Sequence, residues 1–121
     1  MCPADERFFF TEKIVTVYNW TVADIGLLQL ADDVITETKA GTRTVALLKK
    51  NGQVAAFAAL CPHAGARLCE GWLDPLGRIV CPLHKYRFDP ATGRNTSGEG
   101  YKLFKYPVEL RENEIWIGLR D

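Results

Sequence analysis

Short runs of alternating or β-branched residues dominate the chain. Arg43–Lys50 and Gln53–Leu60 flank Asn51-Gly52, a pair suited to the left-handed turn of a two-residue hairpin. Leu103–Leu110 and Glu114–Leu119 flank Arg111-Glu112-Asn113 and predict a second hairpin. Pro107 has no N–H to give to a ladder, so it marks an edge position or a bulge there. Lys13–Tyr18 and Val34–Lys39 also read as strands. Val22–Leu30 fits a short helix and a loop equally well. Residues 61–101 are different in kind, holding six of the ten glycines and four of the six prolines. Asp74-Pro75-Leu76-Gly77 and Asp89-Pro90-Ala91-Thr92-Gly93 read as tight turns, the first closing a hairpin of Trp72–Asp74 with Arg78–Val80. No internal repeat stands out. The pattern predicts an all-β chain whose β-rich base is interrupted by a small, turn-rich insertion.

A length of 121 residues suits one domain, and a chain of this size buries about two thirds of the surface it exposes when unfolded. Fifteen basic and fifteen acidic side chains give no excess positive charge for neutralising phosphates, which argues against a nucleic-acid partner. The longest apolar run, Val54 to Pro62, is far shorter than the roughly 20 residues of a spanning helix. Met1–Glu6 lacks the basic-then-apolar pattern of an export signal. These features predict a cytoplasmic protein without a membrane partner. In that compartment four cysteines point to metal or catalytic roles rather than to disulfides.

The insertion carries Cys61-Pro62-His63 and Cys81-Pro82-Leu83-His84. Each half joins a thiol to an imidazole, and each places proline directly after cysteine, which favours a stiff, non-helical loop. His63 and His84 are the two histidines of the chain. Two such loops, tied by the intervening hairpin, form a candidate metal centre of Cys61, His63, Cys81 and His84. A tetrahedral zinc site accepts the same donors, although its usual ligand spacings differ.

The run Cys61-Pro62-His63-Ala64-Gly65, then Leu68-x-x-Gly71, then Cys81-Pro82-Leu83-His84 followed by Tyr86-Arg87-Phe88-Asp89 and Thr92-Gly93, resembles the Rieske [2Fe–2S] family. The resemblance implies an antiparallel β-sandwich with a cluster-binding insertion. On that basis the single domain 1–121 divides into a base, 1–60 and 89–121, and an insertion, 61–88. It further implies one [2Fe–2S] cluster, with Cys61 and Cys81 on one iron and His63 and His84 on the other. Backbone N–H groups around Gly65 and after Cys81 are expected to donate to the cluster sulfurs. In high-potential members extra cysteines lock the two loops together; Ala66 and Leu83 stand at those positions here. Phe88 stands where such members place a donating tyrosine hydroxyl. A potential in the lower part of the family range of about −150 to +300 mV is therefore expected. Lys85 occupies a position that is usually glycine, and the local turn is expected to differ there.

The resemblance also implies a function: a ferredoxin-type carrier passing one electron between redox proteins, such as a flavin reductase and a terminal oxygenase. A Rieske-like small subunit of a nitrite reductase uses the same ligands, and a Cys₂His₂ zinc module binding a protein is the redox-inert alternative. Catalysis by the chain itself is disfavoured, because a mononuclear iron site needs two further histidines and a carboxylate. Cys69 reads as a small buried thiol, Cys2 carries no functional signal, and Phe8–Phe10, Trp20, Trp72 and Trp116 read as core or cluster-flanking packing. Arg67 and Arg87 read as solvated charges, with docking of a partner as the alternative because they lie near the histidine loops. Ser97-Gly98-Glu99-Gly100 resembles the family's cluster-shielding loop.

Overall fold

The computed structural model describes residues 18–62, 65–83, 85–97 and 102–119. All but the last residue of the Lys13–Tyr18 segment, Cys2, Phe8–Phe10, His63, His84 and Gly98–Gly100 lie outside that set.

Three antiparallel sheets account for the described chain. The first joins β1 (Asn19–Val22), β10 (Glu114–Leu119) and β9 (Val108–Arg111), with β10 in the middle. The second runs in the order β2 (Thr36–Ala40), β3 (Arg43–Lys50), β4 (Gln53–Ala58) and β8 (Lys105–Tyr106). The third is small: β5 (Trp72–Leu73), β6 (Ile79–Val80) and β7 (Arg87–Phe88). Two short 3₁₀ turns, η1 (Leu27–Gln29) and η2 (Leu68–Glu70), complete the described elements. The all-β expectation holds. Val22–Leu30 resolves into a strand end, a bent link and η1, closed by the Gly26 N–H donating to Gln29 Oε1 at 2.8 Å.

The second sheet is buried on both faces, and its sequence shows why. Val45 and Leu47 point to one side of β3, with Ala46 and Leu48 on the other, and all four are buried. Polar residues therefore appear only at the ends of the strand, as in sheets covered on both sides. On one side Val45, Leu47, Ala56 and Tyr106 pack with Ile115 and Ile117 of the first sheet. On the other, Ala46, Leu48 and Phe57 pack with Ile79 and Phe88 of the third sheet, with Leu68, and with both Cys61 and Cys81. The base is thus a sandwich, and the third sheet is laid on its outer face.

Two hairpins follow from the turn chemistry. Asn51 and Gly52 take φ +53° and +78°, with Lys50 paired to Gln53, so the left-handed pair sets the register of β3 and β4. The C-terminal hairpin closes on two residues rather than three: Arg111 pairs with Glu114, and Glu112 turns at φ +59°. Pro107 does more than mark an edge. β8 before it pairs with β4 of the second sheet, whereas β9 after it pairs with β10 of the first. Lacking an N–H, proline leaves one ladder without an orphaned donor, while its carbonyl accepts from the Gly118 N–H at 2.9 Å.

Candidate metal centre

The two Cys-Pro segments form loops of the same design. In the first, Leu60 bridges Arg67; in the second, Val80 pairs with Arg87. The Cys61 N–H donates to the Ala66 carbonyl at 2.8 Å, and the Cys81 N–H to the Tyr86 carbonyl at 2.8 Å. The Gly65 N–H returns to the Cys61 carbonyl at 2.9 Å, and the Lys85 N–H to the Cys81 carbonyl at 3.0 Å. Gly65 lies at φ +71° and Lys85 at φ +59°. At their described positions the two loops therefore share one hydrogen-bond and backbone pattern, twenty residues apart. Leu/Val-Cys-Pro and a closing Arg recur at that offset. It is a short internal repeat, missed because only four of its eight positions match in type.

One expectation is corrected and another narrowed by this geometry. The turn at Lys85 does not differ from a glycine turn: lysine adopts the left-handed conformation, which costs an L-residue roughly 1–2 kcal/mol. The Gly65 N–H is not available to a sulfur, since the loop's own closure uses it, and the Lys85 N–H is committed in the same way.

Gly71, closing the Leu68-x-x-Gly71 motif, sets the distance between the loops. A Cβ built there would stand 2.0 Å from the Val80 carbonyl oxygen and 3.2 Å from Pro82 Cδ. Only a residue without a side chain lets the end of η2 pass against the start of the second loop. Cys61 and Cys81 are buried thiols outside any disulfide, and they share one apolar cluster with Leu68, Ile79 and Phe88. Among the described residues no three His, Cys, Asp or Glu side chains converge, and the histidines are not in that set. Soft sulfur donors fixed in matching loops, backed by a shell that limits solvent, fit a sulfide-bridged iron pair.

Around the loops most charges are matched. Arg67 Nε donates to Glu37 Oε1 at 3.1 Å, and Nη1 lies 3.5 Å from Glu70. The Arg67 guanidinium holds the Glu37 carboxyl below the ordinary carboxylate value. Asp74, with only 6% of its side chain exposed, accepts from the Leu76 and Arg78 N–H groups, each at 2.9 Å, and from Arg78 Nε at 2.7 Å. Arg87 Nε stands 3.4 Å from the same carboxylate. Burial alone would raise the Asp74 pKa; the Arg78 backbone and side-chain donors and the Leu76 N–H outweigh it and bring the value down. Arg67 and Arg87 are thus paired rather than simply solvated. Cys69 is only half-buried; its thiol donates to Glu37 Oε1 at 3.4 Å, and burial raises its pKa.

A β-sandwich bearing two matched Cys-Pro loops defines a class of redox protein, and the comparisons with known proteins agree. The Rieske [2Fe-2S] domain family matches residues 21–107, and the chain belongs to that family. Its cofactor is one [2Fe–2S] cluster. The ferredoxin component of the naphthalene 1,2-dioxygenase system of Pseudomonas aeruginosa is 38% identical over 89 residues, which span 72% of this chain and 83% of that protein. The ferredoxin of carbazole 1,9a-dioxygenase from Nocardioides aromaticivorans IC177 superposes with a TM-score of 0.73 at 28% identity, covering 87% of this chain and all of that one. A chain in a complex of reduced oxygenase and oxidised ferredoxin of carbazole 1,9a-dioxygenase gives a TM-score of 0.68 at 27% identity, covering 84% and 93%. Among the described residues no helix is long and apolar enough to cross a membrane.

Proposed function

We propose that this chain is the ferredoxin component of an oxygenase system, a cytoplasmic carrier that takes one electron from a flavin reductase and delivers it to a terminal oxygenase. In this reading the chain has no catalytic site of its own. Cys61 and Cys81 hold one iron and His63 and His84 the other, all four within the insertion 61–88 carried on the base 1–60 and 89–121. The observation that carries the proposal is the pair of matched loops placing two buried thiols in one apolar cluster. The named relatives, ferredoxin components of dioxygenase systems, support the choice of partners.

When bound, the cluster supplies a one-electron couple, and two neutral imidazoles in place of thiolates raise its potential above the all-cysteine value of about −400 mV. The protein's part is to hold and to insulate. Leu68, Ile79 and Phe88, each with no measurable exposure and in one apolar cluster with both cysteines, would shield the group from the side of the sandwich. Leu60 and Leu83, at 52% and 57% exposure, flank the loops on the outside. With its inner side packed against the sandwich, a cluster held by these loops would exchange its electron on the side away from the core. No bond is made or broken, so rigid loops serve the transfer better than mobile ones.

The test is an absorption and EPR spectrum of the purified protein before and after dithionite, with iron and sulfide counted. Two irons, two labile sulfides and a paramagnetic signal on reduction are expected, and His63→Ala or His84→Cys should lose or recast that signal. A colourless protein with one zinc would overturn the proposal. Co-purification with a large flavin or haem subunit would replace the mobile carrier by a bound one.

A further inference from the structure

The insertion 61–88 carries four basic and two acidic side chains, and the rest of the chain eleven and thirteen. The two regions thus carry opposite net charges of +2 and −2. Three of the four cations are spoken for: Arg67 by Glu37 and Glu70, Arg78 and Arg87 by Asp74. Lys85 remains. It is exposed, and it makes no ion pair with any described residue.

Its backbone adds a second observation. The matching position of the twin loop is Gly65, at φ +71°, where a Cβ would meet nothing within 4 Å. The fold thus asks for a left-handed residue at this point of each loop and gets glycine in one. In the other it holds a lysine at φ +59° against its conformational preference. Strain kept at a site argues for a role of the strained side chain. Leu83, two residues before Lys85, is exposed, and so is Leu60 at the start of the twin loop; each offers apolar surface on a cysteine loop.

We propose that Lys85, with Leu60 and Leu83, forms the contact for a redox partner whose docking rim is acidic. Carboxylates of the partner meet the lysine while its apolar centre covers the leucines. The proposal rests on the carrier reading and names the chemistry of its partner. Long-range attraction between the +2 insertion and an acidic rim steers encounter, and opposing charges at the tip set the orientation.

Small redox ions stand in for the partner. Reduced holoprotein is mixed in stopped flow with hexacyanoferrate(III), an anion, and separately with tris(phenanthroline)cobalt(III), a cation. One electron passes to the metal of either oxidant, giving hexacyanoferrate(II) or the cobalt(II) complex. The anion's rate should fall with added salt, and the cation's should not. Lys85→Asn, which keeps a residue tolerant of the left-handed region, should slow the anion roughly three- to ten-fold at low salt. Lys85→Arg should restore the rate, and the cation should be little affected by either change. In a second readout, redox-inert hexacyanochromate(III) should broaden the amide signals of Arg67 and Arg87 in the native protein and much less in Lys85→Asn. An anion rate indifferent to Lys85→Asn, or broadening centred on the base, overturns the proposal. A protein that takes up no electron from dithionite overturns the carrier reading instead, while the broadening map still decides the anionic contact.

Discussion

At Lys85 a single side chain is held where an L-residue is disfavoured, and the consequence is measurable. Glycine removes the left-handed penalty of about 1–2 kcal/mol but adds roughly 0.5–1 kcal/mol of unfolded-chain entropy. Lys85→Gly should therefore raise stability by about 0.5–1 kcal/mol in denaturant titration, with the oxidised absorption spectrum unchanged. A loss of stability would show that the lysine makes compensating contacts. Asp74 is the other residue whose chemistry is set by its neighbours. Its pKa is depressed in the fold by the Arg78 and Leu76 donors, so its contribution is fully present above the ordinary aspartate value. It is lost as pH falls through the depressed value. Asp74→Asn should lower stability at neutral pH and flatten its decline below about pH 4, leaving the two proteins closest in acid. Parallel pH profiles for the two would contradict this.

Among elements, the contact of η2 with the second cysteine loop has the least tolerance. Any Cβ at Gly71 meets the Val80 carbonyl at 2.0 Å, and that carbonyl belongs to backbone already paired in β6. Gly71→Ala should cost about 1–3 kcal/mol by overpacking and push the two loops apart. Its cluster should be lost to a chelator faster than that of the native protein, as followed by loss of visible absorption. Retention at the native rate would mean that the loops adjust independently. Elements also show where local pattern reads well. Asn51-Gly52 fixes its hairpin through two left-handed residues, and Asp74–Gly77 closes the next through the Asp74 carboxylate. The C-terminal hairpin was legible as a hairpin, but its turn was one residue shorter than the pattern implied. Arg111 has no feature that excludes it from a strand.

For the whole molecule, both faces of the central sheet are occupied, and the face toward the third sheet includes the two cysteines. Because both cysteines belong to that core, cluster binding and the folding of the two loops are expected to be linked. Removing the cluster should lower the melting temperature and expose amides of β5, β6 and β7 to hydrogen exchange, while those of β3 and β10 stay protected. Uniform loss of protection would indicate that the base depends on the cluster as well. The residues on which that division turns are few. Phe57 and Phe88, both fully buried, meet between the second and third sheets, where burying each side chain contributes about 1.5–3 kcal/mol.

The amino-acid sequence alone determined the strand-rich character, the Asn51-Gly52 turn and the two Cys-Pro-His stretches, because each depends on residues adjacent in the chain. Tertiary structure decided the rest through groups far apart in sequence. Glu37 neutralises Arg67 across thirty residues, and Asp74 reaches Arg87 from the turn that joins β5 to β6. Pro107 hands the chain from one sheet to another. Lys85 takes up a glycine's conformation because the closed loop demands it. Local preference is worth about a kilocalorie per residue, and packing and loop closure outweigh it wherever several contacts act together.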